Sequence, residues 1–289
     1  MSTTTTAAPP SPAEVVRKIS TIATLPEVTA RIISTVEDPR SSPAQLHKIV
    51  CHDPALVTRI LKVVNSAFYG LPGQVASIER AIVLLGLNAV KNIAVAASLG
   101  QLFRGVRLCE GFTAKDLWTH CIAVGVTARE LARQMRIPLV DEAFLAGLIH
   151  DIGILVSLQV FPDPLREVCE KVKAEGGQFV DVERATIGLD HQDLGAALAE
   201  LWKFPRSCQL VAGFHHKPDT FGDDNRLLVA LVYVADTLVC QQGHGFNLTA
   251  LHQAIQQPQV GELPVDEGLL SRVGDMLPHL IAGSATIFH

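Results

Sequence analysis

The 289-residue chain is poor in aromatic residues (5%) and in charge (18%), and it shows no strong imbalance of sign. With two tryptophans and two tyrosines, most of its core must be aliphatic. The 24 basic and 29 acidic residues give a net charge of −5 and argue against bulk coating of nucleic acid. None of the six cysteines forms a C-x-x-C pair, so a zinc ribbon is a poor reading. Cys51, Cys109, Cys121, Cys169, Cys208 and Cys240 are scattered over apolar stretches and read as reduced thiols acting as small hydrophobes. The start, MSTTTTAAPPSP, lacks a basic stretch followed by an apolar run, so a signal peptide is not expected. The apolar runs at 81–100 and 143–160 are broken by Gly, Asn, Lys, His and Asp. Neither reaches the ~20 residues that span a bilayer. A cytoplasmic protein without a membrane partner is expected. Strand-like alternation is nearly absent, and no repeat of fixed period is visible.

What remains is 48% hydrophobic residues arranged in helical punctuation. Ser11-Pro12-Ala13-Glu14 has the form of a capping box, and Ser42-Pro43 and Asp53-Pro54 are two further starts. Ser77 opens IERAIVLLG, with Gly86 as its stop, and an apolar-periodic stretch occupies 87–103. Thr113-x-x-Asp116 begins a long helix ending near Arg136. Asp141 should cap the helix that holds AFLAGLIHDIG, and the next helix ends at Gly176-Gly177. Asp190 should cap another through Trp202. Further helices are expected from Pro205 to HHKP, over 225–241, over 247–256 and, weakly, over 265–281. The pattern predicts an all-α fold of roughly a dozen helices. The loop at 105–112 is the best internal boundary.

After that loop, His and acidic residues recur in apolar helical context: Asp116, His120, His150, Asp151, His191, His215, His216 and Asp236. Asp116 and His120 lie four apart, on one helix face. Asp236 sits within an apolar helix, where an unpartnered carboxylate costs several kcal/mol. Mixed imidazole and carboxylate sets suit Fe, Mn, Zn or Ni. A carboxylate shared by two ions is the arrangement used in phosphoester hydrolysis. Each residue also has an ordinary alternative. His191 follows a cap, His215-His216 favours a helix C-terminus, and Asp236 could pair with a Lys or Arg. Taken together, a shared site explains the set with one cause. His52-Asp53 is a decoy, because Pro54 follows and Asp53 reads as a cap.

The order His120, His150-Asp151, later His and Asp236 resembles the HD superfamily of metal-dependent phosphohydrolases. The longer run through His191 and His215-His216 is similar to cyclic-di-GMP phosphodiesterases of the HD-GYP type. DPALVTRILKVVNSAFYG (53–70), SIERAIVLLGLNAVKNI (77–93), LDHQDLGAALAELWKFP (189–205) and GFHHKP (213–218) resemble the HDOD domain, the HD-related output domain of bacterial signalling proteins. The resemblance covers residues 14–245. It implies an all-α, multi-helix HD-superfamily bundle preceded by a smaller N-terminal helical subdomain. The corresponding division is a disordered tail (1–12), an N-terminal half (13–106), an HD-like half (107–245) and a C-terminal helical extension (246–289). It also implies that His120, His150, Asp151 and Asp236 hold one divalent ion. Asp151, His191, His215 and His216 would hold a second, with Asp116 as an extra ligand.

Two departures weigh against catalysis. The lysine that HD phosphodiesterases carry three residues after the HD aspartate is Ile154 here, which supplies no charge to a transition state. The GYP triplet is missing from EGGQFVDVERATIGLDH, where Glu183 reads equally well as an exposed acid. The expected function is therefore a signal-transduction output module with a non-catalytic metal centre. The alternative is a metal-dependent phosphohydrolase acting on a nucleotide or cyclic dinucleotide, with Asp151 as its catalytic carboxylate. Lys173, Lys203 or, best placed, Lys217 would then contact phosphate. A metal-free set held by core hydrogen bonds is the remaining outcome. No sensor domain fits before residue 14, so a signalling partner is expected in trans, with the helices at 54–65 and 78–100 as contact faces if core packing does not claim them. A basic face from Arg59, Lys62, Arg80 and Lys91 would be needed for nucleic acid, which the net charge disfavours.

Overall fold

The computed structural model describes residues 11–19, 25, 27–36, 38, 40–66, 69–103, 105–220, 222, 225–257 and 259–285. The tail at 1–10 lies outside them. Ser11 accepts from Glu14 N and Glu14 returns a bond to the Ser11 backbone. The first helix thus begins at Pro12, inside the stretch assigned to the tail.

The N-terminal helices are α1 (Pro12–Arg17), α2 (Glu27–Val36), α3 (Pro43–Val50), α4 (Pro54–Val64), α5 (Ile78–Leu85) and α6 (Leu87–Leu99). A hairpin of β1 (Arg107–Cys109) and β2 (Phe112–Thr113) occupies the expected boundary loop. There follow α7 (Ala114–Gln134), α8 (Val140–Ile149), α9 (Ile152–Val160), α10 (Pro162–Glu175) and α11 (Phe179–Ile187). The last are α12 (His191–Leu201), α13 (Arg206–Phe214), α14 (Arg226–Gln241) and α15 (Glu267–Ala285). Among the described residues the fold is all-α apart from that hairpin.

Local chemistry explains most starts. Ser42, Asp53, Ser77, Thr113 and Asp190 each accept a backbone N–H of the first turn. Asp141 does not cap α8, which starts one residue earlier at Val140 without a side-chain cap. The 247–256 segment is not helical. Its polar side chains bond to other elements instead, as with Gln253 to His216 and Thr237.

Helix α6 is buried along most of its length, packing on α2, α4 and α5 and then onto α8. The 54–65 and 78–100 faces are accordingly mostly core, except that Val83 and Leu84 stay exposed on α5. Lys91 is buried and bonds Ser41 Oγ, and Arg59 Nε donates to Ala97 O at 3.1 Å. The postulated basic face loses both. Helix α1 reaches across and packs on α12, tying the two halves together.

The residues Val140–Val160 are long and apolar enough to cross a membrane, yet 89% of an 18-residue apolar run within them is buried inside the protein. It is two helices, parted at His150-Asp151. Helix α9 lies directly against α12 at Gly153, where an added Cβ would meet the His191 carbonyl oxygen at 1.8 Å. That contact brings the start of α9 and the start of α12 together, and with them Asp151 and His191.

Candidate metal centre

Five segments supply the cluster. His120 comes from the second turn of α7, His150 and Asp151 from the break between α8 and α9, and His191 from the first position of α12. His215 and His216 close α13, and Asp236 lies within α14. Six of the seven are 0% exposed and His216 is 8% exposed. Seven ionisable side chains in one dry place require mutual compensation.

Outer partners orient the rings. His150 Nδ1–H donates to Gly147 O (2.7 Å), and His215 Nδ1–H to Val211 O (3.0 Å). His191 Nδ1 meets Glu183 Oε2 (2.6 Å), and His216 Nδ1–H donates to Gln253 Oε1 (2.8 Å). With each Nδ1 engaged by an acceptor, the four Nε2 lone pairs face inward. They crowd together: His191 Nε2 is 3.0 Å from His216 Nε2 and 3.3 Å from His215 Nε2, and His120 Nε2 is 3.3 Å from His150 Nε2. Two lone pairs at such a distance repel unless a proton or a cation lies between them.

Asp151 stands between two groups of nitrogens. Its Oδ1 lies 3.3 Å from both His191 Nε2 and His215 Nε2. Its Oδ2 lies 3.3 Å from His150 Nε2 and 3.6 Å from His120 Nε2. Asp236 Oδ1 completes the second group, 3.1 Å from His120 Nε2 and 3.7 Å from His150 Nε2. Neither Asp151 oxygen accepts a hydrogen bond of acceptable geometry, and Asp236 Oδ2 and His120 Nδ1 are likewise buried without one. These orphaned atoms, with the facing nitrogens, fit divalent ions. A regular tetrahedron with edges of about 3.3 Å has its centre about 2.0 Å from each corner, close to the bond length of Zn–N and Zn–O. Asp151, His191, His215 and His216 offer donor atoms within 4.8 Å of one another, while His120 forms sets of three with His150 and Asp151 and with Asp236 and Cys240.

Protonation follows from the crowding. Burial pushes His216 well below the usual imidazole range, helped by His215 and His191, and burial also lowers His215. Burial opposes the charge of His191, but Glu183, Asp151 and Asp190 outweigh it and raise the ring to about 10. His150 is raised the same way, burial being outweighed by Asp151, Asp236 and the Gly147 carbonyl. Against the penalty of burial, His150 and neighbouring rings hold Asp151 well below the carboxylate range. His120, with His150 and His216, does the same for Asp236.

Three expectations need correction. Asp116 is not beside the cluster: its Oδ2 accepts from Thr113 N (2.7 Å) and Thr113 Oγ1 (2.6 Å), so the capping box claims it. Glu183 is not an exposed acid. It is 0% exposed and accepts both His191 N–H (3.0 Å) and His191 Nδ1. The signal was available, since Glu183 lies four and three residues after the buried Phe179 and Val180 on one helix face. Cys240, read as a plain hydrophobe, places Sγ 3.4 Å from Asp236 Oδ1. Lys217 borders, with His216, Tyr233, His252 and Gln253, a cavity of about 300 Å³, and its Nζ lies 3.9 Å from Asp181 Oδ1. Lys173 is bonded to Glu110 O and stacked over Phe112. Ile154 is fully buried.

Comparison with known proteins agrees with this architecture. A curated relative, an uncharacterised protein of Treponema pallidum, is 26% identical over 231 residues, covering 78% of this chain and 44% of its own length. The chain thus spans less than half of that relative. The solved structure of an HDOD domain protein of unknown function from Geobacter sulfurreducens superposes with a TM-score of 0.79 at 21% identity, covering 93% of this chain and 96% of that one. A protein of Shewanella amazonensis assigned provisionally as a phosphohydrolase superposes with a TM-score of 0.74 at 24% identity, covering 95% and 97%. The sequence profile of the HDOD domain matches residues 22–218, more than half of the chain, and the protein therefore belongs to the HDOD domain family.

Proposed function

We propose that this chain is a cytoplasmic signal-transduction output module whose buried His/Asp cluster holds divalent ions as a structural, non-catalytic centre. One observation carries the reading: Asp151, His191, His215 and His216 place four buried donor atoms within 4.8 Å of one another. Structural sites close their coordination shell in this way, whereas catalytic sites keep a position open for water or substrate. The burial of Ile154 adds to this, since no charge stands where a phosphate would need one. The ions, when bound, would neutralise Asp151 and Asp236 and draw α7, α9, α12, α13 and α14 to one point. A signalling partner in trans would then read the shape of a stiffened bundle.

A metal-dependent phosphohydrolase is the second reading. It is favoured by Asp151, which serves both groups as shared carboxylates do in two-metal hydrolases, and by the cavity bordering His216 and Lys217. A bound ion would there activate water and polarise a phosphoryl oxygen.

Elemental analysis of the purified chain, followed by assays of a generic phosphodiester and of cyclic-di-GMP with added Mn, separates the two. The module reading expects bound metal without turnover. Turnover that disappears in Asp151→Ala supports the hydrolase, and a chain that takes up no metal removes both.

A further inference from the structure

The residues after α14 fold back onto the centre. Gly245 has φ +70° and lies against α7, where an added Cβ would meet Asp116 O and His120 N at 2.5 Å. Phe246 N donates to Asp116 O (3.0 Å), pinning the chain beside His120. Thr249 Oγ1 lies 3.9 Å from Cys240 Sγ, whose sulfur contacts Asp236. Gln253 then reaches His216. One short run beyond the residues matched by the HDOD profile therefore meets three of the elements that carry ligands.

Gln253 is the member with directional chemistry. Its side chain is 7% exposed, and both ends are used. Oε1 accepts from His216 Nδ1 (2.8 Å), while Nε2 donates to Thr237 Oγ1 (2.5 Å). Thr237 Oγ1 in turn donates to Tyr233 O (2.7 Å). The amide cannot flip without placing its NH2 against the Nδ1 proton and its oxygen against Thr237. The backbone is held as well, because Gln253 O accepts from Gln241 Nε2 (3.2 Å) and Gln253 N donates to Ala250 O (3.1 Å). Gln192 Oε1 fixes the backbone N–H of His216 (3.1 Å), while at the ring Nδ1 Gln253 Oε1 is within hydrogen-bond distance and Asp236 Oδ2 stands farther off at 3.8 Å.

We infer that Gln253 is a positioning residue of the metal centre, locking His216 as the Nδ1–H tautomer so that Nε2 faces the ion held with Asp151, His191 and His215. This rests on reading the cluster as a metal centre. Removal of such an outer partner costs about 10–100-fold in metal affinity.

The test uses the full chain and two variants, Gln253→Leu, which removes the acceptor, and Gln253→Glu, which keeps one. Cobalt(II) titration against a competing chelator reads affinity, and the visible d–d bands read ligand geometry. Long-range 1H–15N spectra of the metal-free protein read the His216 tautomer independently of any ion. The expected result is an Nδ1–H tautomer in the wild type, lost in Gln253→Leu and kept in Gln253→Glu. The weaker cobalt site of the Leu variant falls by 10–100-fold with altered bands, and Glu restores most of it. Wild-type affinity, bands and tautomer in Gln253→Leu would overturn the inference. Should Gln253→Leu fail to fold, Thr237→Val, which frees the other end of the amide, is expected to give the same changes more weakly, and an unchanged tautomer there counts against the inference. A wild-type chain that binds no cobalt but shows the locked tautomer removes the metal reading and leaves the positioning role standing.

Discussion

The α-carbon of Gly153 packs against the carbonyl of His191 so closely that a methyl group there would lie 1.8 Å from the oxygen. Alanine at 153 must push α9 away from α12, and Asp151, two residues earlier, moves with α9. Overpacking of this kind costs about 1–3 kcal/mol, and the upper end applies where backbone, not a flexible side chain, is in the way. Gly153→Ala should lower the melting temperature by about 5–10 °C and weaken metal uptake. Gly195→Ala, whose new Cβ would be 3.4 Å from its nearest neighbour, should do neither. Calorimetry and a chelator competition on the two variants check the contrast.

Glu183 should behave as part of the centre although it faces no ion. It holds the His191 ring through Nδ1 and the start of α12 through the His191 N–H. Glu183→Leu removes both bonds and should reduce affinity for one ion by about 10–100-fold. Glu183→Gln keeps an acceptor and should lose less. Equal losses in the two variants would mean that charge, not orientation, is what Glu183 supplies.

The parts of this centre that were legible are those with an apolar frame around them. His150-Asp151 follows AFLAGLI, and Asp236 follows LVALVYVA, so burial could be read from neighbours. Glu183 was obscured because FVDVERATI mixes acids and a base with apolar residues, and only the spacing from Phe179 and Val180 marks the inward face. Asp116 was misassigned because two rules fit the same residue. Its place four before His120 suits a ligand, but its place three after Thr113 suits a cap, and the local bond prevailed. Gln253 was hidden because its segment read as a short helix, whereas it is irregular and its bonds reach 16 and 37 residues away.

Metal uptake should release protons. Burial pulls His191 down, but Glu183, Asp151 and Asp190 raise it to about 10, and His150 is also raised. His191 therefore carries a proton at pH 7.5 in the metal-free chain, and an ion that takes its Nε2 position must displace it. Apparent affinity should rise with pH, by about tenfold per unit for each proton released. The sign for folding is the opposite: a raised histidine stabilises the metal-free fold fully below about pH 6.5, and that contribution fades as pH climbs through about 10. Titration calorimetry at pH 7.5 in buffers of different ionisation enthalpy should give at least one proton released. A heat independent of the buffer would contradict it.

Removing metal should cost stability without unfolding the chain. In the apo state the carboxylates keep partial compensation from nearby imidazoles, since His120 and His150 sit against Asp236 and Asp151. The aliphatic core from α2 to α15 does not depend on the ion. An ion present at 100 times its dissociation constant adds about 2.7 kcal/mol, which corresponds to about 5–11 °C for a chain of this size. Chelation should lower the melting midpoint by that amount, with re-addition of Mn or Zn restoring it. In Asp151→Ala both groups lose their shared carboxylate, so chelation should no longer move the midpoint. A wild-type midpoint indifferent to chelator would mean that the imidazoles and carboxylates satisfy one another through protons alone, and Asp151→Ala should then be destabilised equally with and without metal.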